Sequence, residues 1–299
     1  MAMPIQLTWH TSFDMSCMHA MSVLLGRVPL ANAELTAGLY PIVKELRSRL
    51  MHDKLEEPPF LEHLVPLAGE HSSDRDLAEV TLLKVLGRER MQGAMGQYQG
   101  LITQFEQTFA EHLEPLDEEF ITSSSPLRQR WDAEGNRFWG ALGTYCESAF
   151  LPSSAKVFLM HPVSGGGGAP HIWYPSCRIE ALGGDPQPDL PEVLRLGWML
   201  AQLNLRQARY REDLRLARVN QVGALATLPA ALAAGEEVRW CTCSDEQIHQ
   251  ALDYWQPACE DLEFTAAQLT QWWRIYTEKR PPWGMSLVAL NRMLGWPMA

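Results

Sequence analysis

The period of the hydrophobic pattern changes once along this chain, near residue 150. Before that point, apolar residues recur every three or four positions, which is typical of amphipathic helices. The stretch 33–52 shows this as one stripe: Leu35, Leu39, Ile42, Val43, Leu46 and Leu50. After it, short apolar runs such as KVFLMHPV at 156–163 are typical of strands. The pattern therefore predicts an α+β fold that is predominantly α-helical.

The N-terminal half is predicted to be almost entirely helical. A short strand, IQLTW at 5–9, comes first because apolar and polar residues alternate there. Ser12 or Asp14 is the predicted cap of a first helix to Leu25, and Ser73 or Asp74 opens a later one. The other helices are predicted near 33–52, 60–68, 88–113 and 126–150, the last after an SSSP cap.

The C-terminal half is predicted to be mixed. Strands at 156–163, 171–175 and 177–182 surround a Gly-rich turn and form a small antiparallel or mixed sheet. Asp189 caps a long helix to about Arg218, which packs on that sheet. Further helices are expected near 220–234, 245–256, 265–279 and 284–294, with a short strand in EEVRWCTC at 236–243. We predict a single domain, 1–299. Within it, a division into a helical sub-lobe at 1–150 and a mixed α/β sub-lobe at 151–299 is possible.

Composition limits the classes of function. The 25 basic and 36 acidic side chains give a net charge of −11, which argues against nucleic-acid binding. No run of eighteen apolar residues and no signal-type N-terminus is present, so no membrane association is expected. Six Cys without a CxxC pair or a regular framework predict reduced thiols and a cytoplasmic location.

Charge is unevenly distributed along the chain. The stretches 103–121 and 245–263 each hold six acids and no Lys or Arg, whereas 195–218 holds six Arg against two acids. Such runs form solvated faces that pair within the fold, or an Arg-lined surface for an anionic ligand. Both interpretations stay open from the sequence.

Most motifs of catalysis are missing. There is no phosphate-binding loop, and the glycines at 165–168 lack the spacing of a dinucleotide site. An alternative hypothesis is a hydrolase with a site near this turn, although the chain has no G-x-S-x-G nucleophile motif. Its candidate cleft residues are His161, Gly165, Gly166, His171, Cys177 and Glu180.

No metal or other cofactor is predicted. No two His are spaced H-x-x-x-H along the chain. The best remaining ligand set is Cys241, Cys243, His249 and Cys259, whose C-x-C-x5-H-x9-C spacing matches no standard zinc module. Ordinary, partly buried thiols are the simpler interpretation.

The order of elements from 150 onward resembles the core of zincin-like metallopeptidases. A strand, a Gly-rich turn and a second strand precede the apolar helix LPEVLRLGWMLAQLNL, and the resemblance covers about 155–235. In zincins this helix carries H-E-x-x-H, since positions i and i+4 share one face and can bind one zinc. The motif aligns with Trp198-Met199-Leu200-Ala201-Gln202.

The aligned residues depart from what the chemistry needs. Trp198 cannot bind zinc, Met199 cannot act as a base, and Gln202 is a poor ligand. The resemblance therefore implies a degenerate scaffold without metal or peptide hydrolysis. The same residues also fit a core stripe, because Leu194, Trp198, Ala201 and Leu205 share one helical face.

We therefore expect a non-catalytic, zincin-like scaffold that acts in binding or regulation. A protein or peptide is the partner class that this hypothesis favours. Besides the hydrolase, the remaining alternative is a purely helical partner-binding module that uses the Trp-rich segment QWWRIYTEKRPPWGMSLVALNRMLGWP. Aromatic residues there indicate a binding groove or packing between helices.

Overall fold

The computed structural model describes residues 4–71, 73–115, 126–207, 214, 216–257, 259 and 261–296. The predicted α+β fold, predominantly helical with a small mixed sheet, is confirmed. Five α-helices come before residue 115: α1 Phe13–Leu25, α2 Ala33–His52, α3 Glu57–Ala68, α4 Asp74–Leu86 and α5 Arg88–Ala110. Six follow in the described remainder: α6 Pro126–Tyr145, α7 Glu192–Ala201, α8 Leu216–Glu237, α9 Asp245–Trp255, α10 Leu262–Lys279 and α11 Trp283–Met293.

Side-chain caps fix where several helices begin. The Ser12 side chain accepts from the amide of Met15 at the start of α1, and Ser73 does the same for Asp76 at α4. Each cap satisfies a backbone donor that has no partner within its helix. Of the two predicted candidates at each site, Ser12 and Ser73 are the caps.

Four strands of the described residues form one mixed sheet in the order β1-β2-β4-β3. They are β1 Gln6–Thr11, β2 Ser154–Met160, β3 Gly168–His171 and β4 Ser176–Glu180. The pairs β1/β2 and β2/β4 are parallel, and β3 is antiparallel to β4. The sheet therefore pairs two segments that lie far apart in the sequence, since Gln6 of β1 is opposite Ser154 of β2.

The sheet lies between two hydrophobic cores. Alternate residues of a strand face opposite sides, and in β2 this separates Val157 and Leu159 from Phe158 and Met160. Phe158 and Met160 pack with residues of α1 to α5, whereas Val157 and Leu159 pack with residues of α6 to α11. Each group of helices covers one face of the sheet. Side chains of the strands therefore contact α1 to α5 on one face and α6 to α11 on the other.

Several predicted element boundaries are wrong. The helix predicted to run to Arg218 ends at Ala201 and continues as turns, and residues 208–213 lie outside the described part. Of the strand predicted at 171–175, only His171 lies in a strand, as the last residue of β3, and 172–175 form a turn. The stretch 236–243 contains the end of α8 and no strand. The predicted SSSP cap falls mostly within 116–125, which also lies outside the described residues.

In the part of the chain that the structure describes, no helix is both long enough and apolar enough to cross a bilayer.

Candidate functional site

Strand β4 places three polar side chains on one face of the sheet. Ser176, Arg178 and Glu180 alternate with Cys177 and Ile179, which are fully buried in the core formed by α6 to α11. Because side chains alternate along a strand, the polar three face the N-terminal helices. There they form a continuous network with His19 of α1 and His171 of β3.

Glu180 is the carboxylate of this network, and both of its oxygens accept hydrogen bonds. Its Oε1 accepts from the amide and hydroxyl of Ser164, both at 2.8 Å, and lies 3.0 Å from Nε2 of His19. Its Oε2 accepts from the amide of Gly166 at 2.7 Å. Burial alone raises the pKa of Glu180, but these bonds outweigh it and leave that pKa below its ordinary value. Glu180 is therefore ionised at neutral pH although its side chain is fully buried.

The Gly-rich turn places the backbone amides of Ser164 and Gly166 within hydrogen-bond distance of Glu180. Gly165 and Gly166 have φ of 81° and 124°, a region where a side chain is strained. A Cβ on Gly166 would also stand 2.9 Å from the hydroxyl of Tyr254. The turn is thus a rigid carboxylate cradle in which two glycines are required by backbone conformation.

Arg178 determines the tautomers of both imidazoles, because a guanidinium can only donate. Its Nε donates to Nδ1 of His19 at 3.2 Å, so Nε2 of His19 carries the proton that meets Glu180. A second bond joins its Nη1 to Nε2 of His171 at 3.1 Å. His171 Nδ1 therefore donates to Ser176 Oγ at 2.9 Å. All four ring nitrogens are engaged.

The charges in the network are one cation and one anion separated by a neutral ring. Burial lowers the pKa of His19, and burial followed by the charge of Arg178 lowers the pKa of His171 well below its usual range. Burial also lowers the pKa of Arg178 to about 10. Because this value is still well above neutral pH, Arg178 remains charged. Among the described residues, Arg178 forms no ion pair with a carboxylate.

Arg178 lies on the wall of a groove of about 410 Å³. The groove runs between α3, the turn after β3, the end of α7 and the start of α8. Its polar lining groups are Ser22, Glu62, His171, Arg178, Gln202 and Asn220. Ligand sites of proteins are concave, have volumes of about 300–1,000 Å³, and carry a few fixed polar groups on mostly apolar walls. The groove fits this description.

Two of these polar groups differ in how they are satisfied. Gln202 donates to the carbonyl of Trp198 at 3.1 Å. Oδ1 of Asn220 is buried and accepts no hydrogen bond from any described residue. At the rim, the indole of the half-exposed Trp173 donates to Glu62 at 3.1 Å, and the guanidinium of Arg206 lies over the indole ring.

The positions aligned with H-E-x-x-H lie in the core and at its edge. Trp198 stacks on Trp255 with ring centroids 5.2 Å apart, and its indole donates to the carbonyl of Ala224 at 2.8 Å. Met199 is fully buried beside Gly168, where a Cβ would come within 3.0 Å of its methyl group. Gln202, one turn later, is the member of the three that lines the groove.

The predicted cleft residues are only partly brought together. Gly166, His171 and Glu180 belong to the network, and Gly165 shapes its turn. Cys177 points to the opposite face, where burial raises its pKa. His161 packs edge-on against Phe13 and Phe109, with centroids 6.4 and 6.1 Å away. A hydrolase that joins His171 to Cys177 is therefore not assembled by β4.

The predicted metal set is not assembled in the described residues either. His249 pairs with Glu263 at 2.9 Å, and the thiols of Cys241 and Cys243 donate to backbone carbonyls of α8. Cys259 is a free thiol. Across the residues that the structure describes, no three His, Cys, Asp or Glu side chains group closely enough to hold an ion.

The Arg-rich segment does not form one helical surface. Arg195 is buried, 3.5 Å from Glu192, and stacks on Tyr254. Arg206 lies at the groove and Arg218 over Trp296, while positions 209, 211 and 215 are outside the described residues. The described Arg side chains of this segment therefore lie in three different environments.

Another depression, of about 600 Å³, lies between α2 and α5. Arg49 on its wall is already paired with Asp53 at 2.7 Å. Arg178, by contrast, faces its groove without a carboxylate partner among the described residues, which makes the smaller groove the stronger candidate.

The sequence prediction missed His19, Arg178 and Asn220. His19 carried a usable signal, since it is the one ionisable imidazole in the mostly apolar run MSCMHAMSVLL. Arg178 carried one as well, because a charged residue between Cys177 and Ile179 on a strand marks a second, polar face. Nothing in the local pattern of α8 indicates the role of Asn220. Compared with protein-family models, curated proteins and solved structures, the chain matches none of them, so the geometry of its own residues is what indicates its function.

Proposed function

We propose that this protein is a non-catalytic binding protein whose ligand enters the groove beside β3 through an anionic group. The observation that carries the proposal is the setting of Arg178. It is a permanent cation on the groove wall, held by His19 and His171 and without an ion pair among the described residues. Two of its five N–H groups serve the imidazoles, which leaves a fork suited to a carboxylate or a phosphate.

The engaged state of the titratable groups supports binding over catalysis. A general base needs a lone pair within reach of its substrate. Both nitrogens of His19 and of His171 are already hydrogen-bonded, and Glu180 is fully buried and does not line the groove. The network therefore holds Arg178 in place and has no free base to offer to the groove.

The zincin-like origin of the scaffold is part of this proposal. It rests on the order of elements and on the residues at Trp198, Met199 and Gln202, which lack the chemistry of a zinc site. A regulatory role and a protein or peptide partner are proposed on the same basis, and a cytoplasmic location is proposed from the six Cys that form no CxxC pair or regular framework. Metal analysis of purified protein tests the degenerate site, and one equivalent of tightly bound zinc per chain contradicts it.

Thermal unfolding with simple anions tests the binding site. The protein is titrated with sodium acetate and with inorganic phosphate, with sodium chloride adjusted to hold the ionic strength constant. A ligand that binds the folded state raises Tm in a saturable manner. We expect this for the wild type and for Arg75→Gln, an exposed control on α4, and at least tenfold weaker binding for Arg178→Lys.

A second measurement keeps the test decisive if the lysine variant is unstable. The Nε–H signal of Arg178 in wild-type protein is assigned by nuclear magnetic resonance from its loss in the variant. Its shift on addition of acetate or phosphate supports the proposal. An unchanged signal together with an unchanged Tm refutes it.

A further inference from the structure

We infer that the ligand is the C-terminal end of an extended peptide, which crosses Trp173 and occupies a second depression beside the groove. The inference rests on the proposed function, because Arg178 receives the C-terminal carboxylate. It adds an interaction surface outside the groove and the class of partner that this surface fits.

Two depressions adjoin at the turn that follows β3. One is the groove of about 410 Å³, and the other has a volume of about 550 Å³. Ile172 and Trp173 line both of them. One amino-acid residue spans at most about 3.6 Å of extended chain, whereas four span about 14 Å. A ligand that occupies both depressions is therefore a chain and not a single small anion.

Trp173 is the shared wall and the anchor of this surface. All eleven Trp lie in the described part of the chain, and Trp173 is the most exposed of them, at 45%. Its indole donates to Glu62 and Arg206 lies over its ring, so the side chain is held in place before a ligand arrives. Trp is enriched among the residues that dominate binding energy, and a ring that is already ordered loses little entropy when a partner covers it.

The walls of both depressions are rigid and partly apolar. Five prolines contribute to them: Pro58, Pro66 and Pro170 in the groove, and Pro152 and Pro175 in the second depression. Proline has almost no side-chain freedom to lose on binding. Grooves with aromatic and apolar walls are a recurring means by which proteins recognise extended peptide segments.

The second depression favours a peptide over an anion with an alkyl chain. None of its described lining residues is charged, and its polar groups include the side chains of Ser153, Asn204 and Gln207. The amides of Asn204 and Gln207 form no side-chain hydrogen bond with any described residue. They can exchange hydrogen bonds with the N–H and C=O groups of a peptide. An alkyl chain would displace their water and leave them without partners, which costs free energy.

The position of Arg178 places the end of the peptide in the groove. Arg178 belongs to β4, which lies inside the edge strand β3, whereas Trp173 belongs to the turn outside it. A chain that runs from the second depression past Trp173 therefore goes inward, and its last residue meets Arg178. A C-terminal carboxylate matches the guanidinium there.

Calorimetric titration of the full chain with four probes tests the inference. N-acetylleucine supplies one residue with its carboxylate, and an acetylated tetrapeptide of three alanines and a C-terminal leucine extends the chain. The C-terminal amide of this tetrapeptide lacks the anion, and octanoate replaces the peptide by an alkyl chain. We expect the tetrapeptide to bind about tenfold more tightly than N-acetylleucine, and at least about tenfold more tightly than its amide and than octanoate.

Two variants locate the added affinity. Ala149 is exposed, lines the second depression and does not line the groove, so Ala149→Trp fills the depression alone. This variant is expected to bind N-acetylleucine as the wild type does and the tetrapeptide no more tightly. Trp173→Ala is expected to weaken tetrapeptide binding about tenfold. The matched controls at exposed positions, Ala267→Trp on α10 and Tyr40→Ala on α2, behave as the wild type.

Different results overturn the two proposals. This inference is wrong if N-acetylleucine and the tetrapeptide bind the wild type equally, or if Ala149→Trp leaves tetrapeptide binding unchanged. It is also wrong if the amide matches the free acid or if octanoate matches the tetrapeptide. The proposed function survives these results as long as acetate or phosphate still raises Tm through Arg178. Without binding of any carboxylate to the wild type, both proposals are wrong.

Discussion

Nε2 of His19 lies 3.0 Å from Oε1 of Glu180, although the two residues are 161 positions apart in the chain. Both side chains are almost completely buried. The bond ties the first helix to the last residue of β4, and the tautomer imposed by Arg178 makes His19 the donor. The network is thus a structural joint between α1 and the sheet as well as the support of Arg178.

Replacing Glu180 by Gln is expected to lower the free energy of unfolding by about 3–5 kcal/mol. The amide has one acceptor oxygen, whereas the carboxylate accepts from Ser164, Gly166 and His19 with two. Urea unfolding at pH 7.5 measures the loss. Glu70→Gln is the control, since its exposed pair with Lys156 contributes less than about 1 kcal/mol. Similar losses in both variants contradict the assignment.

Acid is expected to destabilise the protein through His171. Its pKa in the folded state is lowered by burial and by Arg178, whereas in the unfolded chain it is ordinary, near 6.5. The unfolded state therefore binds more protons below about pH 6.5, and the free energy of unfolding falls as the pH falls.

The variant His171→Gln isolates this contribution. Between pH 7.5 and 5.5 it is expected to lose about 1 kcal/mol less than the wild type, because an amide does not titrate. Urea unfolding at a series of pH values measures the difference. The exposed His112→Gln serves as the control. Identical slopes for all three proteins are the contradicting outcome.

Glu106 is expected to act in the opposite direction. Burial, followed by the hydrogen bond and charge of Asp74, raises its pKa to about 9. In the unfolded chain it releases its proton near 4.5, so its stabilising contribution is complete below that pH and is lost as the pH rises towards 9.

Glu106→Gln removes this pH dependence. At pH 8 the variant is expected to be more stable than the wild type by about 1–2 kcal/mol, a figure discounted for the partial exposure of the side chain. The advantage shrinks towards pH 5. Urea unfolding at both values tests it, with the exposed Glu111→Gln as the control. A variant that is less stable than the wild type at pH 8 refutes the prediction.

Trp198 is expected to behave as a core residue. Trp198→Ala is expected to lower the free energy of unfolding by about 3–5 kcal/mol. Trp198→Phe keeps a ring against Trp255 but loses the bond to Ala224, and is expected to cost about 1–2 kcal/mol. A loss below about 1 kcal/mol for the alanine variant contradicts the packing in the structure.

Local sequence signals were sufficient to predict the positions of most helices and strands. They were insufficient to predict which of these elements pack or pair with one another. Caps and periodicity located helices such as α1 and α4, because those signals lie within a few residues. The parallel pairing of Gln6 with Ser154 depends on a contact between distant segments, which no local pattern carries. The end of α7 was misplaced because apolar residues recur beyond Ala201 at helical spacing, and no Gly or Pro marks the stop.

Of the candidate site, the sequence predicted only the residues that lie in one continuous stretch of the chain. Gly166, His171 and Glu180 were named because they surround one Gly-rich turn. His19 and Asn220 come from helices on either side of that stretch in the sequence, and only the fold brings them to it. Their chemistry depends on burial and on partners, both of which are properties of the folded chain.

The bond between His19 and Glu180 has a consequence for biosynthesis. At about 5–20 residues per second, a ribosome needs roughly 8 to 32 s to add the 161 positions between them. During that interval the apolar helix α1 has emerged without its partner on the sheet, and β1 without β2. Until residue 180 leaves the exit tunnel, α1 cannot form its native contacts with the sheet. During this time its apolar side chains are accessible to chaperones and to other nascent chains.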